Sequence, residues 1–138
     1  MFDVVVIGSG GVGSFSLRSL SRRGLKILGI ERFRRCHDRG SSHGGSRIYR
    51  KAYFEHPNYV PLIQYSEQVF REMDKALLEN CGTLVMEEPD GPVVKSCQES
   101  AERHGIPTEF LSNAELRHRY PQFRLASNDT VGLLEPGG

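Results

Sequence analysis

The sequence predicts an α/β fold that opens on a parallel strand–helix–strand unit, and three observations predict it. A short β-branched run, Asp3-Val4-Val5-Val6-Ile7, leads directly into a glycine cluster, Gly8-Ser9-Gly10-Gly11-Val12-Gly13. Helical periodicity follows, with Gly13, Leu17, Leu20 and Gly24 falling on one face. A second apolar run, Lys26-Ile27-Leu28-Gly29-Ile30, then ends at Glu31. Two strands joined by a helix over about 30 residues form a right-handed parallel crossover.

Each element has a local reason. The first run is wholly apolar, the pattern of a strand buried on both faces of a parallel sheet. The helix is expected from Gly11 to about Arg23, with Gly24 as its C-cap. Residues 32–46 hold almost nothing that could build a core, and their arginines, glycines and serines read as a long functional loop. Leu62, Tyr65, Ser66, Val69, Met73 and Leu77 repeat at helical spacing between Pro61 and Cys81-Gly82, which predicts an amphipathic helix with that stripe toward the core. Thr83–Glu87 reads as a strand and Glu88-Pro89-Asp90-Gly91 as a turn. Val94, Cys97, Ala101 and His104 mark one face of a further helix that stops at Gly105, with His104 packing or supporting the helix C-terminus. Thr108–Leu111 is expected to be extended. Ser112 with Glu115 forms a capping box for a short helix that ends before Pro121. Val131-Gly132-Leu133-Leu134 reads as a last strand.

Composition narrows the class. The chain has 138 residues, of which 38% are hydrophobic, the size and apolar content of an ordinary globular domain rather than a disordered one. No apolar run approaches the ~20 residues of a membrane span. Met1 leads directly into Asp3 without a basic, apolar leader, so an intracellular, cytoplasmic location is expected, and no membrane partner. Cys36, Cys81 and Cys97 are odd in number and widely spaced, which predicts reduced thiols and no metal pair. Glycine is in excess, and seven of the 15 lie in two short stretches, at Gly8, Gly10, Gly11, Gly13, Gly40, Gly44 and Gly45. Charge is polarised: residues 1–60 carry a net +7 and residues 61–138 a net −6, which suits an anionic ligand near the first half. Arg32, Arg34, Arg35 and Arg39 have only Phe33 interleaved among them, too little aromatic character for a nucleic-acid surface. His37, His56 and His118 are expected to be solvent-exposed.

The glycine cluster is G-x-G-x-x-G in full context. The first glycine permits the tight turn after the strand, the second lets backbone approach a pyrophosphate, and the third allows close helix–strand packing. Amides at the helix start face the phosphates. Glu31, 18 positions after Gly13, is placed to bond the adenosine ribose, and an acid there disfavours a 2′-phosphate. This predicts a Rossmann-like FAD/NAD(P)-binding domain, and the motif itself leaves FAD and NAD open. The loop Gly40-Ser41-Ser42-His43-Gly44-Gly45-Ser46-Arg47-Ile48-Tyr49-Arg50 adds small residues and two arginines three apart. On a helical turn those arginines share one side and address one carboxylate or phosphate.

These residues also carry a resemblance. The fingerprint, the "ERF" after the second strand, "RGSSHGGSRIYRKAY" and the "YVPL" that follows are similar to the flavin-dependent amine oxidases, the family of monomeric and peroxisomal sarcosine oxidases and N-methyltryptophan oxidase. "TEFLSNAELRHRYPQF" and "VGLLEPGG" extend the similarity over essentially the whole chain, with Gly45 a departure from the acidic or polar residue common there. The resemblance implies FAD as cofactor. It implies that Gly8, Ser9, Gly10, Gly11, Val12, Gly13, Glu31 and Arg32 hold its ADP half, and that Ser41, Ser42, His43, Arg47 and Ile48 lie toward the flavin. His43 and Arg47 become the catalytic candidates, Arg47 as the cation that favours the anionic reduced flavin. Arg50 becomes the holder of an amino-acid carboxylate. The implied reaction is oxidation of a secondary (N-methyl) amino acid at its C–N bond, with dioxygen as acceptor and hydrogen peroxide as product. The cofactor carries the redox chemistry while the protein orients and polarises. Residues 1–50 are then the FAD-binding βαβ unit and loop, and residues 51–138 lead into an α+β substrate-binding domain. Because the family's chains are longer, the expectation is a truncated, N-terminal part of such an enzyme that is inactive by itself.

Overall fold

A computed structural model describes all residues, 1–138, as two compact units, Met1–Arg47 and Ile48–Gly138.

In the first unit, β1 (Val4–Ile7) and β2 (Ile27–Ile30) pair in parallel, with Val4 opposite Ile27 and Ile7 opposite Ile30. The Asp3 carboxylate fixes the start of the pair by accepting the Lys26 N–H at 2.7 Å. Between them runs α1 (Gly11–Ser21). Three of its four serines are reconciled with helix by bonding back along it: Ser14, Ser16 and Ser21 hydroxyls donate to the carbonyls of Gly11, Val12 and Arg18. Leu17 anchors α1 to the sheet over Gly29, where an added Cβ would lie 2.8 Å from the Leu17 side chain. Two expectations are corrected. The helix ends at Ser21 with Arg22 as its cap, and Gly24 stands beyond it in the following turn. β1 is not buried on both faces: Val5 is 50% and Ile7 84% exposed, because this sheet has two strands and little lies over them.

In the second unit a 3-10 turn, Pro57–Tyr59, leads into α2 (Val60–Met73), followed by β3 (Thr83–Glu87), α3 (Pro92–His104), β4 (Glu109–Leu111), α4 (Asn113–Arg119) and β5 (Val131–Glu135). The three strands form an antiparallel sheet in the order β3-β5-β4, with Val85 opposite Leu133 and Phe110 opposite Leu133 on the other side. Val94, Cys97 and Ala101 of α3 form the core with Ala52, Val60, Ile106 and Leu133. The Glu87 carboxylate accepts the Val93 and Val94 N–H groups at the start of α3, and Gly105 closes its end. The Ser112–Glu115 capping box forms at α4, and Leu116 is buried against Gly132 of β5. The three cysteines are free, and burial first of all pushes the Cys97 thiol up.

The stripe on α2 is a further correction. Leu62, Tyr65, Met73 and Leu77 are exposed and only Ser66 and Val69 of the stripe are half-buried, while Val60, Ile63, Glu67 and Phe70 turn inward. Glu67 explains the rotation. Its carboxylate takes Lys51 Nζ at 3.0 Å, Arg71 Nη2 at 2.9 Å and the Tyr49 hydroxyl at 3.2 Å, so a polar residue inside the periodic pattern is satisfied on the inner face. The helix also stops at Met73 rather than continuing through Leu77, because Asp74 is extended and its carboxylate accepts the Ala76 N–H to cap a separate 3-10 turn.

Candidate cofactor-binding site

The turn after β1 is built from backbone. Gly8 has φ +92°, a conformation that side chains resist, and its N–H donates to Ile30 O at 2.7 Å, tying the turn to the end of β2. A Cβ on Gly13 would lie 1.8 Å from Gly8 O, so no larger residue fits where α1 crosses the turn. A cleft of about 730 Å³ opens over this corner, lined by Gly8–Ser14 on one side and by Cys36, His37 and Gly40–Gly44 on the other. That volume lies within the range of ligand pockets. No acidic side chain lines it, so its wall of small residues at a helix N-terminus suits an anionic pyrophosphate.

Glu31 stands at the end of β2. Its Oε2 accepts the Ser9 N–H at 2.7 Å and its Oε1 the Phe33 N–H at 3.1 Å. Those two amides, Ser9 foremost, hold its carboxyl below the usual range. An ionised acceptor with unused lone pairs beside the glycine turn fits a ribose hydroxyl pair.

The opposite wall is organised by Arg47. Its Nη2 donates to Ser41 O at 3.1 Å and its Nη1 to Ser46 O at 2.5 Å, and the guanidinium fills the space beside Gly44. Ser42 lies against Gly11, and the His43 ring contacts Gly40 O. Gly8, Ser9, Gly10, Gly11, Val12, Gly13, Ser41, Ser42 and His43 therefore line one cleft, with Glu31 joined to it through Ser9 and Arg47 through Ser41. Arg32 does not line it; its guanidinium sits 5.4 Å from the Phe33 ring centre.

Ile48 and Arg50 belong to the second unit, where they line a hollow of about 310 Å³ with Tyr49, Tyr53, Ile63 and Ser66. The helical turn expected at 47–50 is absent. The Lys51 N–H, which would close it, donates instead to the buried Glu135 carboxylate, as does the Ala52 N–H at 2.8 Å. The Arg50 guanidinium lies 5.0 and 4.9 Å from the Tyr53 and Phe54 ring centres. Its Nη2 is 3.5 Å from Glu55 Oε1, at the limit of a hydrogen bond, and its buried Nε has no partner. A half-buried guanidinium whose side-chain hydrogen bond is marginal suits a carboxylate. Behind it, burial works to raise the Glu67 carboxyl, but Lys51 and Arg71 hold it low. Burial, with Glu67 alongside, pushes the Tyr49 phenol up.

Sequence reasoning missed Glu135, Glu67 and His37. Glu135 looks like an ordinary strand end, and only the return of residues 51–52 to it reveals an acceptor. His37 was expected in solvent, yet its side chain is 16% exposed and faces Glu31. His56 and His118 are exposed.

The DAO family, FAD dependent oxidoreductases, matches residues 3–138. The chain belongs to that family. This DAO-family chain is 43% identical to the monomeric sarcosine oxidase of Streptomyces avermitilis, over 97% of its own length and 36% of the relative's. It is 32% identical to the N-methyl-L-tryptophan oxidase of Yersinia pestis, over 98% of itself and 37% of the relative. Among solved structures, the open form of NikD, described as an unusual amino acid oxidase, superposes with a TM-score of 0.80 at 22% identity, covering 99% of this chain and 36% of that one. L-proline dehydrogenase from P. horikoshii gives a TM-score of 0.72 at 22% identity, over 99% and 37%. The DAO-family chain thus spans about a third of the length of the relatives it matches, and its fold is that of the amino acid oxidases. No helix in it is long and apolar enough to cross a membrane.

Proposed function

We propose that the chain forms the FAD-binding part, and a share of the substrate site, of a cytoplasmic oxidase of secondary (N-methyl) amino acids that uses dioxygen and yields hydrogen peroxide. The observation that carries the reading is the acid-free cleft over the glycine turn with the Glu31 carboxylate anchored on Ser9 beside it. The likeness to a sarcosine oxidase over nearly the whole chain supports the substrate class.

In this reading the amides of Gly8–Gly13 meet the pyrophosphate and Glu31 the ribose, with Arg32 near it. Ser41, Ser42, His43, Arg47 and Ile48 lie toward the flavin. Bound FAD supplies the two-electron acceptor for oxidation of the substrate C–N bond. Arg47, pinned by Ser41 and Ser46 carbonyls, contributes a fixed positive charge, and His43 a polar ring on the same loop. Arg50 holds the substrate carboxylate, with the Tyr53 and Phe54 rings packed beside its guanidinium.

Titration of the 138-residue chain with FAD, followed by fluorescence, tests the cofactor assignment. FAD is expected to bind, ADP to compete, and FMN, which lacks the adenosine half, to bind far more weakly. Equal binding of FMN, or preferential binding of NAD, overturns it. Binding without turnover is expected of these 138 residues alone. Peroxide formed from an N-methyl amino acid by them would contradict that expectation.

A further inference from the structure

We propose that His37 is a positioning residue for the cofactor: it fixes the orientation in which Glu31 meets the adenosine ribose. The proposal rests on the dinucleotide reading above and adds to it a residue outside the glycine fingerprint.

The geometry determines which ring nitrogen does what. His37 Nδ1 accepts the Arg39 N–H at 3.0 Å, so it carries a lone pair. In the neutral imidazole the proton is then on Nε2. Nε2 is the atom that faces Glu31 Oε1, at 3.6 Å. That distance exceeds a direct hydrogen bond and lies within the range of electrostatic contact. The ring is held in place by Phe33, with centroids 5.0 Å apart and planes tilted by 59°. Both side chains are mostly withdrawn from water, at 16% and 22% exposure, which limits screening.

Glu31 is consequently held from three directions: the Ser9 N–H on Oε2, the Phe33 N–H on Oε1, and the His37 Nε2–H facing Oε1. The first two are backbone donors that any sequence supplies. The third is a side chain, and His37 also lines the cleft, so it borders both the carboxylate and the ligand space. A carboxylate confined this way keeps its remaining lone pairs directed and loses less rotational freedom when a diol arrives.

Replacing the side chain tests the assignment because the two nitrogens can be separated. In His37→Asn the amide oxygen can replace Nδ1 as acceptor for Arg39, while nothing occupies the Nε2 position. In His37→Gln an N–H reaches toward Glu31 again. The measurement is calorimetric binding of ADP and of 2′-deoxy-ADP to the full chain, with circular dichroism to establish that each variant is folded. The wild type is expected to prefer ADP. His37→Asn is expected to lose about three- to fivefold of that preference, with 2′-deoxy-ADP affinity nearly unchanged, and His37→Gln to restore it. A purely structural role would weaken both ligands equally. Full ribose preference in His37→Asn, or no recovery in His37→Gln, overturns the role of His37 while leaving the dinucleotide site standing. Absence of ADP binding by the wild type overturns the site itself and this inference with it.

Discussion

Gly13 shows how much one residue can decide. Its missing side chain leaves room for Gly8 O, 1.8 Å from where a Cβ would stand, and that obstacle is backbone and cannot rotate away. Gly13→Ala is therefore expected to unseat α1 from the turn and abolish ADP binding, read by calorimetry, with a lowered melting temperature for the first unit. Glu31 gives a second prediction at this scale. Its carboxyl is held below its ordinary value of 4.5 by the Ser9 and Phe33 amides. A depressed folded value stabilises the native state above the ordinary one, and that contribution disappears as pH falls through the depressed value. The stability difference between wild type and Glu31→Gln should be greatest near neutral pH and shrink below pH 4.5 in thermal melts. A difference that grows on acidification would contradict the anchoring. Both residues were legible in the sequence because a glycine fingerprint and a following acid are tied to local backbone geometry. His37 and Glu135 were not, since their partners are defined only by how loops return to them.

Helices differ in how openly they announce themselves. The capping box at Ser112–Glu115 lies within one turn, so its geometry follows from four consecutive residues, and it forms as read. The face of α2 is a matter of tertiary choice. Its outer stripe and its inner face both contain apolar residues, and the choice follows the two partners outside the helix, Lys51 and Tyr49, that meet Glu67. Periodicity alone cannot weigh a half-buried, ion-paired carboxylate against a leucine. The consequence is measurable by denaturant unfolding. Leu116→Ala, at a fully buried side chain on α4, should cost about 2–5 kcal/mol. Leu62→Ala, 62% exposed on α2, should stay within about 0.5 kcal/mol. Comparable losses at both positions would restore the stripe to the core.

At the scale of the whole molecule, the two units are held by different means. Residues 48–138 contain every buried side chain of the chain, including the core around Cys97 and Leu133, and internal ties such as Ser100 Oγ to Tyr53 O at 2.6 Å. Residues 1–47 contain none that is buried, and Val5, Ile7, Val12 and Ile30 are all open to solvent. Backbone pairing and the Asp3 and Glu31 carboxylates hold that unit, with little apolar burial to add to them. Local opening is governed by such differences in buried contacts. Amide hydrogen exchange should therefore be slowest in α3 and β5 and markedly faster in β1 and β2. A ligand that binds only the folded cleft stabilises it in proportion to the logarithm of its concentration over Kd, about 2.7 kcal/mol at a hundredfold excess over Kd. ADP at that excess should slow exchange in β1, α1 and β2 by about a hundredfold while leaving α3 and β5 unchanged. Uniform protection across both units would mean that the glycine-turn cleft is not where the dinucleotide exerts its effect.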